Sequence, residues 1–201
     1  MTGNNDLELE KHLVEAAQQD PDQFVHLYDK YFDQIYRYIS RRVSGNRDIA
    51  HDITSQTFLD AFSHLKSFKW QGFPFSSWLY KIAHNNVIKW YRKDGKQNYV
   101  PIENAYDISD SKPDQSEQLN TQLDGDLIQQ ILSKLDEDEQ EIIRLKFFEG
   151  VSNIEIAEIM DLSITNIGVK VFRALKKAKS LIPTKNDFKQ FDSDNDLNNI
   201  L

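Results

Sequence analysis

The chain has 201 residues, 28% of them charged, with no cysteine and a formal net charge of -8. The missing cysteines exclude disulfide frameworks, thiolate metal sites and a cysteine nucleophile. No apolar run reaches the roughly 20 residues of a membrane helix, and the polar start is not expected to be a signal peptide, so we expect a cytoplasmic protein. The histidines and glycines form no familiar metal-ligand or phosphate-loop pattern, so we expect neither a cofactor nor catalysis by the chain itself.

The acidic balance conceals two basic stretches. Residues 61–93 contain six lysine or arginine side chains and no acidic residue, and residues 162–182 contain five and no acidic residue. Binding of phosphates requires such cations, and local clusters of charge matter more for it than the net charge. Both stretches are therefore candidate nucleic-acid surfaces.

The first part of the chain has the apolar spacing of helices. Asp20 followed by Pro21 is typical of a helix start, and apolar residues recur at spacings of three and four from there to Ile39. A second helix is predicted from Asp48 to Leu65 by the same spacing. We see no convincing strand, and the predicted fold class is all-α.

A loop rich in aromatic and basic residues follows at 66–75, where Gly72 and Pro74 interrupt the helical pattern. Ser76 or Ser77 is expected to cap the next helix. Aromatic rings exposed among lysines suit single-stranded nucleic acid, because bases stack on the rings while the cations hold phosphates. We expect this role for two loop residues, Trp70 and Phe73, whereas three later aromatics have core spacing: Trp78, Tyr80 and Trp90.

The composition divides the chain into five segments. Residues 1–19 form an N-terminal segment, and residues 20–95 a first helical domain. Residues 96–122 are polar, contain two prolines and lose the helical spacing, which predicts a flexible linker. A second helical domain is expected at 123–182, followed by an acidic tail at 183–201.

The second domain contains the pattern of a helix-turn-helix. Ser152 and Glu155 form a capping box that begins a short helix ending at Met160. A three-residue turn follows, in which Asp161 stands where such motifs usually have glycine, and Ser163 is expected to cap a second, basic helix. Six apolar residues are expected to fill the space between these helices: Ile156, Met160, Leu162, Ile164, Ile167 and Val171.

The basic helix has a polar face that alternates with these core positions. Early residues on such a face can reach base edges in a major groove, and lysines further along suit phosphates. A solvated helical hairpin with a basic end is the alternative interpretation. The DNA-contact candidates are Thr165, Asn166, Gly168, Val169, Lys170, Phe172, Arg173, Lys176 and Lys177.

Four motifs, in order, resemble those of one family. Residues 48–62 (DIAHDITSQTFLDAF) and 75–85 (FSSWLYKIAHN) are similar to two consecutive segments of bacterial sigma factors. Residues 152–163 (SNIEIAEIMDLS) and 169–177 (VKVFRALKK) resemble the second domain of the same proteins. The chain thereby resembles the sigma-70 family of RNA polymerase sigma factors, in its small two-domain extracytoplasmic-function (ECF) subgroup.

The resemblance implies two partners, core RNA polymerase and promoter DNA, both as duplex and as melted strand. The helix at 48–62 is then the polymerase-binding surface, with contact candidates Asp52, Gln56, Thr57 and Leu59. The loop and the helix after it then bind the minus-ten element, with candidates Lys66, Lys69, Trp70, Gln71, Phe73, Trp78, Lys81, Asn85 and Lys89. The basic helix of the second domain then reads the minus-thirty-five element, and Gly168, where a basic residue is common, leaves the preferred sequence open.

Two other functions remain open at this point. A helix-turn-helix regulator would bind duplex DNA without core polymerase, but residues 20–95 show no receiver or ligand-pocket pattern. An inhibitor that mimics a sigma domain is disfavoured by the basic face. The resemblance also allows a partner of the anti-sigma class, and the sequence does not identify such a partner.

Overall fold

The computed structural model describes residues 4–43, 45–93 and 134–181, and these residues contain helices and no strand. Short 3-10 turns lie at Pro21–Gln23 and Leu65–Ser67, and a π-helical turn lies at Arg144–Phe148. The predicted all-α class is confirmed. The linker at 96–122, the start of the second domain at 123–133 and the tail at 183–201 lie outside the described residues. The helices are α1 (Asn4–Gln19), α2 (Phe24–Arg42), α3 (Arg47–His64), α4 (Phe75–Lys93), α5 (Glu137–Ile143), α6 (Asn153–Met160) and α7 (Ile164–Leu181).

Local capping explains where the first helices begin. Asp20 accepts a hydrogen bond from the amide of Asp22 and starts the 3-10 turn that leads into α2. Asn46 caps α3 by accepting from the amide of Ile49 at 3.2 Å. The helix expected from Asp48 therefore begins one residue earlier than the sequence suggested.

Two expectations about the first domain were incomplete or wrong. Within the N-terminal segment, for which no structure was predicted, residues 4–19 form the helix α1, which buries Val14 and Ala17 in the core. Neither Ser76 nor Ser77 caps α4, because the helix already begins at Phe75. The amide of Phe75 instead donates to Glu10 of α1 at 2.7 Å.

Helices α2, α3 and α4 pack together around a common core that includes Leu27, Ile35, Phe58, Leu79 and Val87. The aromatic residues expected in this core differ in depth. Tyr80 is fully buried, whereas Trp78 and Trp90 are half-buried and pack against the edge of the core. The core fixes the direction of α4, and with it one wall of the candidate DNA-binding groove.

The second domain is built from α5, the π-helical turn, α6 and α7. Ile156, Ile167 and Val171 lie buried between α6 and α7, as expected, and Ala157 is buried where the helices approach. Ile164 was expected in the same place, but its side chain is 52% exposed. It is the first residue of α7. Because helical side chains tilt toward the N-terminus, the side chain of Ile164 extends beyond the end of the helix.

Candidate polymerase and nucleic-acid interfaces

A groove of about 660 Å³ runs along α4 beside the loop that precedes it. Its wall combines lysine, amide and aromatic side chains, which is the chemistry that phosphates and unstacked bases require. The groove gathers seven of the nine minus-ten candidates, which are spread over 21 positions of sequence: Lys69, Gln71, Phe73, Trp78, Lys81, Asn85 and Lys89.

The other two minus-ten candidates lie outside the groove lining. Lys66 is exposed on the 3-10 turn, and Trp70 is half-buried with its ring edge-on to Phe68, the centroids 6.5 Å apart. Phe73 is half-buried as well, although it lines the groove. The expectation that Trp70 and Phe73 are exposed loop aromatics was therefore too simple, because apolar rings beside a core find partners within it.

Asp60 of α3 is an acidic group in the groove wall, and it is held by amides. It accepts hydrogen bonds from Gln56 at 2.8 Å and from the buried Asn86 at 2.9 Å. The Nζ of Lys89 lies 3.4 Å from the Oδ1 of Asn86. A network of α3 and α4 side chains thus orients this end of the groove, and sequence reasoning missed Asn86 because an isolated asparagine gives no pattern.

The second domain also contributes carboxylates to this side of the molecule. Asp161 lies 2.5 Å from the Nζ of Lys81, and Glu155 accepts from the hydroxyl of Ser77 at 2.6 Å. Glu158 is part of the groove lining. These three residues of α6 and its following turn were not predicted to face the first domain.

Deeper in the same interface, a buried ion cluster joins the two domains. Glu141 of α5, only 1% exposed, pairs with Arg42 of α2 and accepts from the hydroxyl of Tyr38. Arg144 and His84 each lie 3.4 Å from the Glu141 carboxylate. Burial alone would raise the pKa of Glu141, but the charge of Arg42 and the hydrogen bond from His84 outweigh it, so that pKa lies well below its usual range.

The helix-turn-helix has the geometry that the sequence predicted. Ser152 and Glu155 form the capping box of α6, and Ser163 caps α7 by accepting from the amide of Asn166 at 3.2 Å. Asp161 between the helices has φ 55, in the left-handed region that glycine usually occupies at this point. Aspartate is one of the few other residues that tolerates this region, so the turn forms despite its Cβ.

The outer face of α7 is open to solvent. Thr165, Asn166, Val169, Phe172 and Arg173 are exposed, and Lys176 and Lys177 follow on the same helix. Gly168 and Lys170 are partly covered. Two of the lysines are paired within the domain.

Those two pairs link α7 to the acidic first turn of α5. Lys170 donates to Asp138 at 2.9 Å, and Lys177 lies 2.5 Å from Glu139. The hydrogen bond to Asp138 raises the pKa of Lys170. A phosphate that binds Lys170 or Lys177 would have to replace one of these carboxylates.

The polymerase candidates on α3 divide by exposure. Asp52, Gln56 and Leu59 are exposed, and Leu59 is 59% exposed, which is unusual for so large an apolar side chain. Thr57 is 0% exposed and donates to the carbonyl of Ile53 at 2.8 Å. Thr57 was wrongly included among the surface residues, because it lies on the inner face of α3.

Within residues 4–43, 45–93 and 134–181, no helix is long and apolar enough to cross a membrane. The same described ranges contain no group of three or more histidine and acidic side chains arranged to hold a metal ion.

Two family patterns match the chain in the order that the motifs suggested. Sigma-70 region 2 matches residues 27–97, and Sigma-70, region 4 matches residues 125–177. The first match contains α4, the loop before it and the outer face of α3, and the second contains the helix-turn-helix and Glu158 of the groove lining. Helix α1 lies before the first match.

Two named relatives, both sigma factors, agree with these family matches. The chain is 30% identical over 181 residues to the ECF RNA polymerase sigma factor SigW of Bacillus subtilis, a match that covers 84% of this chain and 95% of SigW. It is 32% identical over 172 residues to the ECF RNA polymerase sigma factor BldN of Streptomyces coelicolor, which covers 85% of this chain and 65% of the length of BldN.

The fold is similar to that of the sigma factor RpoE solved in complex with the anti-sigma factor NepR from Bartonella quintana. The TM-score is 0.59 and the identity 23%, over 81% of this chain and 98% of that one. The similarity supports the arrangement of helices. With both regions matched in order, the chain belongs to the sigma-70 family of RNA polymerase sigma factors, in the ECF subgroup, whose members bind core RNA polymerase and direct it to promoter DNA.

Proposed function

We propose that the groove beside α4 holds the melted minus-ten strand, that α7 reads the minus-thirty-five duplex, and that the outer face of α3 binds core polymerase. In this proposal, sigma region 2 occupies residues 20–95 and region 4 residues 123–182, with the linker at 96–122 between them. The protein acts in the cytoplasm and is not itself an enzyme, because the polymerase supplies the chemistry of RNA synthesis.

The gathering of seven minus-ten candidates in one groove carries the proposal. Lys69, Lys81 and Lys89 provide cations for the backbone, while Phe73 and Trp78 offer ring faces and edges to unstacked bases. Stacking on aromatic side chains contributes about 1–3 kcal/mol per base. Such contacts favour the opened strand over the duplex, since paired bases cannot reach the rings.

The face of α7 suits a duplex instead. Thr165 and Asn166 lie in the first turn of the helix, where side chains can meet base edges in a major groove. Arg173 and Lys176, about two to three turns further along, suit phosphate contacts that set the register. The exposed Val169 and Phe172 offer apolar contact to thymine methyl groups.

On α3, the exposed Leu59 carries the argument for a protein partner. It lies one turn from Gln56 and two turns from Asp52, so an apolar side chain and two polar ones share one outward face. Apolar side chains near the centre of an interface, surrounded by polar ones, are typical of protein–protein contacts.

Strand opening tests the groove. A promoter is first mapped by transcription of the organism's own DNA with core polymerase and this chain, and its opening is then followed by permanganate reactivity. Lys69→Ala with Phe73→Ala is expected to reduce opening of duplex promoter by about tenfold or more, because stacking and a phosphate contact are lost. On a template with a pre-opened bubble, the defect is expected to shrink.

Lys66→Ala is the matched control, because Lys66 is an exposed lysine three residues from Lys69 but lies outside the groove lining. It is expected to open the promoter nearly as the unchanged protein does. Equal opening by the double variant and the unchanged protein would contradict the assignment of the groove. Binding of promoter duplex by a chain that does not associate with core polymerase would favour the alternative of a helix-turn-helix regulator.

A further inference from the structure

Helix α1 contacts both ends of the loop that borders the groove, although it lies before the part of the chain matched by Sigma-70 region 2. The loop leaves α3 through the 3-10 turn Leu65–Ser67 and enters α4 at Phe75. One α1 side chain hydrogen-bonds at the first end, and another at the second.

Gln18 holds the first end. Its side-chain amide donates to the carbonyl of Leu65 at 2.9 Å and to the carbonyl of Phe68 at 2.8 Å. A carboxamide carries two N–H donors, so one glutamine can satisfy both carbonyls at once. Phe68 is the residue where the chain turns from the 3-10 turn into extended backbone. Gln18 therefore fixes the point at which the loop departs.

Glu10 holds the second end. Its side chain is 2% exposed, and its Oε1 accepts from the amide of Phe75 at 2.7 Å. That amide belongs to the first residue of α4, where helical N–H groups have no partner within the helix. Pro74, the residue before it, has no N–H to contribute. Glu10 thus takes the place of a local cap.

The same carboxyl oxygen accepts from the hydroxyl of Tyr31 on α2. Burial and the hydrogen bond to Glu10 raise the pKa of Tyr31, so that the hydroxyl stays protonated and remains a donor. Val14 and Ala17, both buried in the core, anchor α1 between these two side chains. Helix α1 is therefore held by buried side chains between Glu10 and Gln18 as well as by the hydrogen bonds of these two residues.

We infer that Glu10 and Gln18 are positioning residues for promoter opening: through the carbonyls of Leu65 and Phe68 and the amide of Phe75, they hold the loop so that Phe73 and Lys69 face the melted strand. The inference rests on the proposed role of the groove. It adds α1 to the machinery of strand capture, although α1 does not line the groove.

The test compares side chains of similar size with and without the hydrogen-bonding groups. Gln18→Met removes both donors and keeps most of the volume, and Glu10→Leu removes the acceptor, whereas Glu10→Gln retains an acceptor oxygen. The matched controls are Gln19→Met and Glu8→Leu, which change exposed residues of the same helix. All are made in the full chain.

Two measurements are made on each variant. Amide hydrogen exchange of residues 66–76 in the free protein reports how firmly the loop is held. Permanganate reactivity with core polymerase reports promoter opening on duplex and on bubble templates. Two lost hydrogen bonds are expected to speed exchange in the loop about tenfold and to slow duplex opening by a similar factor. Opening on the bubble, polymerase affinity and exchange in α2 are expected to stay unchanged.

Glu10→Gln is expected to restore most of the protection that Glu10→Leu loses, which a purely volumetric role would not do. Normal exchange in Gln18→Met would overturn the inference, and so would faster exchange with normal opening. If Gln18→Met does not fold, Gln18→Glu, which has nearly the same shape and no donor, decides in its place. If even the unchanged protein fails to open promoters, the proposed function falls, while the exchange data still decide whether α1 holds the loop.

Discussion

The groove beside α4 and the outer face of α7 both carry lysines balanced by carboxylates, but the carboxylates come from different places. Lys81 in the groove pairs with Asp161 of the other domain. Lys170 and Lys177 on α7 pair with Asp138 and Glu139 of their own domain. A strand that binds Lys81 must displace a carboxylate of the neighbouring domain, whereas a duplex on α7 displaces carboxylates of the same domain.

This difference separates two free-energy costs of DNA binding, the loss of a surface ion pair and the loss of a contact between domains. Surface ion pairs contribute only about 0–1 kcal/mol, so a phosphate can replace Asp138 at little expense. The domain contact next to the groove also includes the buried cluster of Glu141, Arg42 and Arg144. Part of the groove wall therefore belongs to an interface between the domains, and the paired lysines of α7 have no such neighbour across the interface.

The largest expected effect comes from breaking that cluster. Glu141→Ala leaves the buried guanidinium groups of Arg42 and Arg144 without the carboxylate between them. Removal of one partner of a buried ion pair typically costs about 3–5 kcal/mol. We expect urea unfolding to show a loss of that size, while Glu137→Ala, an exposed change on the same helix, has almost no effect. Equal stabilities of the two variants would show that the cluster does not hold the domains.

Acid offers a second way to break the cluster. Because the pKa of Glu141 is lowered in the folded chain, its contribution to stability is complete above its ordinary value of 4.5 and is lost as the pH falls below that value. Glu141→Gln is expected to remove this part of the pH dependence. An unchanged acid profile in that variant would contradict the assignment.

A smaller effect is expected on the α7 face. Lys170→Ala with Arg173→Ala should weaken binding to a minus-thirty-five duplex by about tenfold to a hundredfold, in keeping with about 1–3 kcal/mol for lost base or phosphate contacts. Lys179→Ala, an exposed change on the same helix, serves as the control. Fluorescence anisotropy at several salt concentrations measures both. Binding by the double variant equal to that of the control would mean that another face meets the DNA.

The smallest expected effect separates the two surfaces directly. Asp161→Asn keeps a residue that tolerates the left-handed turn and removes the negative charge that pairs with Lys81. It should raise the affinity for single-stranded DNA by about twofold to fivefold at low salt, with little change for duplex. Asp138→Asn should instead raise the affinity for duplex DNA, with little change for single-stranded DNA. The same response of both ligands to either variant would erase the distinction between the two surfaces.

The parts of the molecule that follow local rules were predictable from the sequence. The capping box at Ser152 and Glu155 and the cap at Ser163 depend on residues three positions apart, so the helix-turn-helix is recognisable from the order of its residues. The acid-free stretch and the resemblance also pointed to the same side chains. Seven of the nine minus-ten candidates chosen in this way line one groove.

The residues that the sequence did not place correctly have physical reasons in common with long-range packing and helix geometry. Glu10 caps α4 from 65 positions away, and no local pattern reveals such a contact. Thr57 was assigned to the surface by resemblance, although it lies four residues from both Ile53 and Ala61, which are buried on the inner face of α3. Helical spacing would have placed it correctly. Trp70 was expected to be exposed because it lies in a loop, but its ring packs against Phe68.

Photo-crosslinking in the assembled transcription complex tests directly whether the groove beside α4 holds the melted minus-ten strand. A photoreactive phenylalanine derivative is placed at the position of Phe73, and separately at the position of Lys66, in the full chain bound to core polymerase and promoter. We expect crosslinks from position 73 to a melted minus-ten base, only after the promoter has opened, and few from position 66. Crosslinks that form equally from both positions, or from position 73 to duplex DNA before opening, would contradict this expectation.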